Sequence, residues 1–195
     1  MDILLQSGKQ RFKQYDFKGN LLSSARQINA EYKQITDCDN MGFLENEYDT
    51  AFTYDALNRP VTHNQPDDSV FTYLYNKAGL PESILLAHMG GEEFTYIRNI
   101  DYNEKGQRTD VYFGNDSKTR YVYDPETFRL TRLLTTRYHG EHILQDLNNT
   151  GACPALCGNP VGNITQVVDN AQQTHYFDNS VVEPTGTFQY DALYR

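Results

Sequence analysis

Two closely spaced cysteines come nearest to a metal-binding or redox motif in this sequence. Cys153 and Cys157 have three residues between them, and Cys38 is far away along the chain. Structural zinc usually needs two closely spaced ligand pairs, and a thioredoxin-like motif has two intervening residues rather than three. Because the sequence has no second pair, we interpret these cysteines as incidental thiols and predict neither a metal site nor a redox cofactor.

His139 and His142 enclose a glycine and a glutamate, which makes them the next candidates for metal chemistry. A zinc site of the H-E-x-x-H type needs both histidines on one helical face. Gly140 weakens a helix, and the preceding residues 130–138 have the pattern of a strand. We therefore predict a polar hairpin tip. The glycine-rich residues 89–93 are also predicted to form a turn, because they lack the lysine and hydroxyl residue of a phosphate-binding loop.

Adjacent carboxylates occur at Asp67–Asp68 and Glu92–Glu93. Acid–base catalysis by two carboxylates depends on their separation across a cleft, which a sequence does not specify. The simpler interpretation is that these residues keep turns solvated. We assign no catalytic residue and expect that the protein is not an enzyme.

The composition favours β-structure. The chain has 195 residues, 38 % of them hydrophobic, with 15 Tyr, 10 Phe and no Trp. Aromatic residues favour strands and are scarce in disordered chains. The formal net charge of −9 disfavours nucleic-acid binding, which usually needs a basic patch. We also predict no membrane span and no signal peptide, because the sequence lacks the apolar segments that both require.

A dipeptide repeat is the clearest signal in the sequence. Tyr-Asp or Tyr-Asn occurs at Tyr15-Asp16, Tyr54-Asp55, Tyr75-Asn76, Tyr102-Asn103, Tyr123-Asp124 and Tyr190-Asp191, with spacings of 39, 21, 27, 21 and 67 residues. A glycine stands four residues after the tyrosine at Gly19, Gly79 and Gly106. Residues 159–164 fit the same frame, with Gly162 in the glycine position and Gly158 in that of the tyrosine.

Each repeat has the pattern of a strand, a turn and a second strand. Phe71, Tyr73 and Tyr75 alternate onto one face. The Asp or Asn that follows the tyrosine can accept hydrogen bonds from the backbone ahead of it, and the glycine supplies a positive φ at the end of the turn. In the repeat at Tyr123, Thr127 occupies the glycine position. The sequence therefore predicts an all-β fold of tandem hairpins.

These repeats resemble the RHS or YD-repeat family, and within it the toxin-complex C component and its large relatives. The segments that carry the resemblance are 15–22, 54–60, 100–108, 123–130, 144–147, 162–165, 181–184 and 190–195. The resemblance implies a curved, spiralling antiparallel strip that forms part of a hollow shell around a C-terminal toxin cargo. It also implies a secreted or cell-associated protein that in some members is joined by a B-type component.

The resemblance also implies how the chain is organised. Residues 1–195 are expected to be repeat region throughout, incomplete at both ends. An aspartyl autoprotease, which the family carries near the end of its shell, would lie beyond this stretch, so no protease residue is assigned. Residues 149–158 depart from the pattern. A loop insertion is one interpretation of this segment, and a mis-spliced, mistranslated or degenerate stretch is another.

Two questions stay open at this point: whether the tyrosines form a binding surface or part of the core, and whether residues 22–36 form a helix or a hairpin. The tyrosines could form the surface of a cell-surface glycan-binding or adhesion module, although a tyrosine at a fixed repeat position is more often part of the core. Residues 22–36 have helical spacing of their apolar residues and could form a short helix, whereas the family resemblance favours a long hairpin.

Overall fold

The structure is a computed structural model, and it describes residues 1–5, 7–31, 33, 42–149 and 163–191. Gly162, all three cysteines and almost all of the segment 149–158 lie outside the described residues. The chain divides into two compact units, Met1–Tyr96 and Ile97–Arg195.

Strands make up 61 % of the described residues, which contain no α-helix, so the predicted all-β fold is confirmed. The strands are β1 (Asp2–Leu5), β2 (Gly8–Tyr15), β3 (Leu21–Asn29), β4 (Phe43–Tyr54), β5 (Pro60–Asn64), β6 (Val70–Tyr75), β7 (Pro81–Ala87), β8 (Glu93–Tyr102), β9 (Arg108–Phe113), β10 (Ser117–Tyr123), β11 (Leu130–Arg137), β12 (His142–Asn149), β13 (Gln166–Asp169), β14 (His175–Phe177), β15 (Ser180–Val182) and β16 (Thr185–Thr187). A 3-10 turn over Tyr138–Gly140 joins β11 to β12.

Strands that are consecutive in sequence pair with each other as antiparallel hairpins. In the first unit this holds from β1 to β7. In the second unit it holds from β8 to β13, after which β16 pairs with β13. Antiparallel order places successive turns at alternate ends of the strands, so within each unit the Tyr-Asp and Tyr-Asn turns that the structure describes in full lie at the same end. These are the turns after β2, β4 and β6 in the first unit and after β8 and β10 in the second.

The two faces of the first unit differ in chemistry. Phe52, His63 and Phe71 stand opposite one another on neighbouring strands, and the rings of Phe52 and His63 stack at 4.2 Å between centroids. Burial among these rings lowers the pKa of His63. The opposite face carries ion pairs between strands, such as that of Arg11 with Glu47 at 3.1 Å. The second unit has similar ion pairs, including one between Lys118 and Asp110.

The sheet has little interior. Among the described residues, the buried apolar side chains are those of Ala25, Ile100 and Val111, and none of the large side chains is fully buried. Most strand residues are half-buried, as expected where neighbours in the sheet, rather than a second layer, provide the packing. The stability of each hairpin therefore depends on its contacts with the hairpins beside it.

Residues 21–29 form strand β3, so the helical alternative is wrong for that part of the segment. In β3, Ser24 and Ala25 each pair with a residue of β2 on one side and with a residue of β4 on the other. This pairing on two sides outweighs the weak helical spacing of the apolar residues. Residue 32 and residues 34–36 lie outside the described residues. In the described part of the chain, no helix is long and apolar enough to cross a membrane.

Candidate functional site: the tyrosine seam

The turn at Asp55 shows the arrangement that the dipeptide builds. The Asp55 N–H donates to the carbonyl oxygen of Arg59 at 2.9 Å, and the N–H of Asn58 donates to the carbonyl oxygen of Asp55 at 3.1 Å. One carboxylate oxygen of Asp55 accepts the N–H groups of Leu57 at 2.8 Å and Arg59 at 3.0 Å. The side chain thus replaces the hydrogen bonds that a tight turn would otherwise leave unmade.

Three other turns repeat this arrangement. Backbone N–H groups of Asp16, Asn76 and Asn103 each donate at 2.9 Å to the carbonyl oxygen four residues later, on Asn20, Leu80 and Gln107 respectively. Each side-chain oxygen again accepts two backbone N–H groups, from Lys18 and Asn20, from Ala78 and Leu80, and from Lys105 and Gln107. Aspartate and asparagine are therefore interchangeable acceptors in this turn.

The position four residues after the tyrosine has a positive φ. Gly19, Gly79 and Gly106 have φ values of 88°, 80° and 74°, and Asn58 occupies the equivalent position at 64°. Asn58 was not among the residues predicted for this position, although its offset from Tyr54 and the tolerance of asparagine for this conformation are both visible in the sequence.

The turn after Tyr123 differs from the prediction. Its positive φ of 59° falls on Phe128, so the assignment of Thr127 to the glycine position was wrong. The Asp124 N–H donates at 2.8 Å to the carbonyl oxygen of Arg129, five residues later, because this turn is one residue longer. Thr127 instead donates its N–H and its hydroxyl to the Asp124 carboxylate, at 2.6 and 2.8 Å. The N–H of Thr127 is the main cause of the lowered pKa of Asp124.

Four of the repeat tyrosines join their own repeat to the one before it through their hydroxyls. They donate to backbone carbonyl oxygens: Tyr54 to Leu21 at 3.1 Å, Tyr75 to Pro60 at 2.7 Å, Tyr123 to Arg108 at 2.9 Å and Tyr190 to Ile164 at 2.7 Å. Leu21, Pro60 and Arg108 each follow the tyrosine of the preceding repeat by six positions. We call these four tyrosines and their acceptor carbonyls the tyrosine seam.

The acceptor of Tyr190 links the segment around Gly162 to the repeat frame. Ile164 follows position 158 by six residues, and position 158 is where the sequence frame puts the missing tyrosine. The contact of Tyr190 with Ile164 is thus equivalent to that of Tyr75 with Pro60. It is made through a backbone carbonyl, which explains how a repeat can keep its seam contact after losing its own tyrosine.

Three of the seam tyrosines, Tyr54, Tyr75 and Tyr123, are half-buried as well as bonded, whereas Tyr190 is 37 % exposed. Burial raises the pKa of Tyr75 and of Tyr123, and the Arg59 guanidinium lies 4.3 Å from the centre of the Tyr75 ring. Tyr102 also has a pKa raised by burial. Tyr15 is half exposed. Rings that pack on cations and within the sheet are not presented as flat aromatic surfaces to solvent.

Side chains also connect neighbouring turns at this end of the strands. In the first unit, Lys18 donates to the carbonyl oxygen of Ala56 at 2.8 Å, and the amide of Asn20 donates to that of Asn58 at 3.0 Å. In the second unit, the amide of Gln107 donates to the carbonyl oxygen of Phe128 at 2.8 Å. The seam is therefore accompanied by a row of bonded turns.

Two segments that the sequence predicts to be turns, around His139 and around Met89, lie in turns or loops between strands. His139 lies in the 3-10 turn and His142 begins β12. Met89 and Gly90 both have positive φ in the loop between β7 and β8. No group of three or more His, Cys, Asp and Glu side chains in the described part of the chain is arranged to hold a metal ion.

A cavity of about 550 Å³ in the second unit lies between Arg98, Lys118, Arg120, Leu134 and Ile143. Lys118 and Arg120 both bind the carboxylate of Asp110, and Arg98 binds that of Asp116. The three cations around the cavity are thus paired with two carboxylates. This cavity could not be predicted from the sequence, because its lining depends on the register of several strands between β8 and β12.

Two curated proteins are similar in sequence, whereas no protein-family model matches the chain. Toxin subunit YenC1 of Yersinia entomophaga is 33 % identical over 125 residues, which are 62 % of this chain and 12 % of that protein. Toxin subunit YenC2 of the same organism is 29 % identical over 152 residues, which are 76 % of this chain and 15 % of that protein.

Solved structures of toxin complexes share the fold. The crystal structure of TcdB2-TccC3-TEV matches with a TM-score of 0.66 and 28 % identity, and the match covers 99 % of this chain and 9 % of that chain. The Photorhabdus luminescens Tc holotoxin pore with the mutation TccC3-D651A matches with the same TM-score and identity, over 97 % of this chain and 9 % of that chain. The chain thus spans a small fraction of its relatives. Its sequence and its fold are similar to those of RHS-type toxin-complex C subunits.

Proposed function

We propose that this chain is a stretch of wall in a β-sheet shell that encloses a C-terminal toxin segment before delivery. The observation that carries the proposal is the tyrosine seam, which joins hairpins of a thin sheet one to the next. The names of the relatives, which are toxin subunits, support the same role.

A wall of this kind needs continuity rather than a reactive group. A gap between hairpins would expose unpaired backbone and admit water and proteases. The seam closes such gaps with hydrogen bonds between repeats. The side-chain hydrogen bonds between neighbouring turns do the same at one end of the strands. In this proposal the chain performs no catalysis and binds no cofactor, and its partners are the rest of its own shell, a B-type component and the enclosed cargo.

The same contacts argue against the glycan-binding alternative. A tyrosine that stacks on a sugar needs an open ring face and gains from a free hydroxyl. The hydroxyls of Tyr54, Tyr75 and Tyr123 are bonded to backbone carbonyls. We therefore propose that these tyrosines serve the wall, within a protein that is secreted or cell-associated.

The first test is the size of the native polypeptide, measured by immunoblot with an antibody against residues 1–195. A band several times heavier than 22.5 kDa is the expected result. A stable band at that mass would exclude encapsulation by this chain.

The second test measures protease protection of the C-terminal segment in the native polypeptide. Replacing Tyr54, Tyr75 and Tyr123 together by phenylalanine should speed cleavage of that segment, because three seam contacts are lost. Tyr176→Phe is the matched control, since Tyr176 lies outside the seam and is 81 % exposed. Equal cleavage rates in the two variants would contradict the proposed role of the seam.

A further inference from the structure

A small hairpin between β13 and β16 stands apart from the main sheet. Its strands β14 and β15 pair only with each other in the described structure. All six of their residues are exposed, including Tyr176 at 81 %, Phe177 at 76 %, Val181 and Val182. The register puts Tyr176 opposite Val181 and Phe177 opposite Ser180, so large apolar side chains project from both sides of the hairpin.

Such a hairpin has little stability of its own in water. Two strands of three residues are marginally stable by themselves, and exposed apolar side chains on both faces add a hydration cost. Its tip is a tight turn in which Asp178 and Asn179 both have positive φ, at 48° and 57°. This turn fixes the hairpin geometry locally, and its first residue, Asp178, directly follows Phe177 in the chain.

The surroundings of the hairpin are acidic. Residues 138–194 contain six Asp and Glu residues and no Lys or Arg. Asp178 lies in the hairpin turn, and Glu183 follows β15 directly, where its carboxylate accepts the hydroxyl of Thr174 at 3.0 Å. Arg132 neutralises one of these six, Asp146, so the carboxylates that accompany the exposed apolar side chains are those of Asp178 and Glu183, which have no Lys or Arg near them in sequence.

A second copy of this chain is a poor match for this surface. The chain has a net charge of −9, so two copies repel each other. Many of its cations already form ion pairs with its own carboxylates. These cations are Lys9, Arg11, Lys13, Arg59, Arg98, Lys118, Arg120 and Arg132. A complementary surface must instead supply unpaired positive charge.

We infer that the hairpin of residues 175–182 is a docking element for a separate polypeptide of basic character. The surface that fits it combines an apolar pocket for Tyr176 and Phe177 with Lys or Arg side chains around the rim, opposite Asp178 and Glu183. Aromatic anchors in such a pocket would provide most of the affinity, and the charges would provide orientation and speed of association.

The test uses the full chain of residues 1–195 and three fluorescent peptides, measured by anisotropy. The peptides alternate Lys with Leu, Glu with Leu, and Lys with Ser. We expect the Lys/Leu peptide to bind and the other two to bind far more weakly. The double variant Tyr176→Ser/Phe177→Ser should lose about tenfold or more in affinity. Asp178→Asn/Glu183→Gln should weaken binding and reduce its dependence on salt.

Phe17→Ser is the matched control, because Phe17 is 94 % exposed in another turn but has the cation of Lys18 beside it. It should bind the Lys/Leu peptide as the unaltered chain does. Circular dichroism of each variant would establish that the sheet is retained. Equal binding by the hairpin variant and the unaltered chain, or equal binding of the Lys/Leu and Glu/Leu peptides, would overturn the inference. Self-association that the hairpin variant abolishes would overturn it too, by identifying a second copy as the occupant.

Discussion

The hydroxyl of Tyr75 donates a hydrogen bond of 2.7 Å to the carbonyl oxygen of Pro60, at the start of the strand that follows the preceding Tyr-Asp turn. Proline has no N–H and so contributes only this carbonyl to the hydrogen bonding of its position. The tyrosine bonds to backbone rather than to a side chain, so the contact does not restrict which residue occupies the acceptor position. This explains why leucine, proline, arginine and isoleucine all serve as acceptors.

Tyr75→Phe should lower the free energy of unfolding by about 1 kcal/mol, because it removes one partly buried hydrogen bond and keeps the ring in place. Urea denaturation would measure the loss. Tyr176→Phe should change the stability much less, since that hydroxyl projects from an exposed ring. Similar losses in the two variants would mean that the seam hydrogen bond contributes nothing specific.

The turns contain a natural comparison between titrating and non-titrating acceptors. The pKa of Asp55 lies below its ordinary value of 3.8, mainly because the Arg59 N–H donates to its carboxylate. A lowered folded-state pKa gives stability that is present above the unfolded value and is lost as the pH falls through the folded value. The loss should therefore occur below about pH 4.

Asp55→Asn should flatten this acid-induced loss, because an asparagine keeps an acceptor oxygen in the turn, as Asn76 does. The converse variant Asn76→Asp should introduce an additional loss below the same pH. Urea denaturation at a series of pH values between 7 and 3 would measure both effects. Parallel pH profiles for the unaltered chain and Asp55→Asn would show that the Asp55 carboxylate is not linked to folding.

Much of the fold could be predicted because one dipeptide encodes a complete turn. Tyr75, Asn76 and Gly79 each have a local reason for their residue type, so their spacing alone predicts a hairpin. Phe128 could not be predicted, because a single added residue moved the positive φ to a residue type that rarely adopts it.

The contacts between repeats could be predicted less well from the sequence. The bond from Tyr54 to Leu21 joins residues 33 positions apart, and its acceptor is a backbone atom that leaves no trace in the residue type. The cavity beside Lys118 and the ion pair of Arg132 with Asp146 depend on register between strands, which turn lengths and bulges determine.

Gly79 and Gly19 differ in what surrounds them, although both have a positive φ. An alanine methyl group at position 79 would come within 3.2 Å of the Arg59 guanidinium, whereas one at position 19 would meet nothing within 4 Å. Both replacements by alanine should destabilise the chain by about 1 kcal/mol through backbone strain. Gly79→Ala should cost more, because Arg59 must move from the Tyr75 ring. Thermal or urea denaturation of both variants would measure this, and equal losses would contradict a tight packing of Arg59 on the turn.

The side chain of Asp146 is 8 % exposed and binds Arg132 through two contacts, at 2.6 and 2.9 Å. These hydrogen bonds from Arg132 hold the pKa of Asp146 below its ordinary value. Asp146→Asn keeps the shape of the side chain but turns one acceptor into a donor that faces the guanidinium. We expect a loss of about 1.5–3 kcal/mol in the free energy of unfolding, the range for hydrogen bonds that involve a charged group.

Asp116→Asn is the matched control for Asp146→Asn, since the Asp116 side chain also binds an arginine, Arg98, but is 58 % exposed. Solvent screens an exposed pair, and asparagine tolerates the positive φ of this position. Its effect on stability should be much smaller, and high salt should reduce it further. Urea denaturation at low and high salt would distinguish the two sites. If both variants lost the same stability and responded equally to salt, the burial of Asp146 between β11 and β13 would not strengthen its pairing with Arg132.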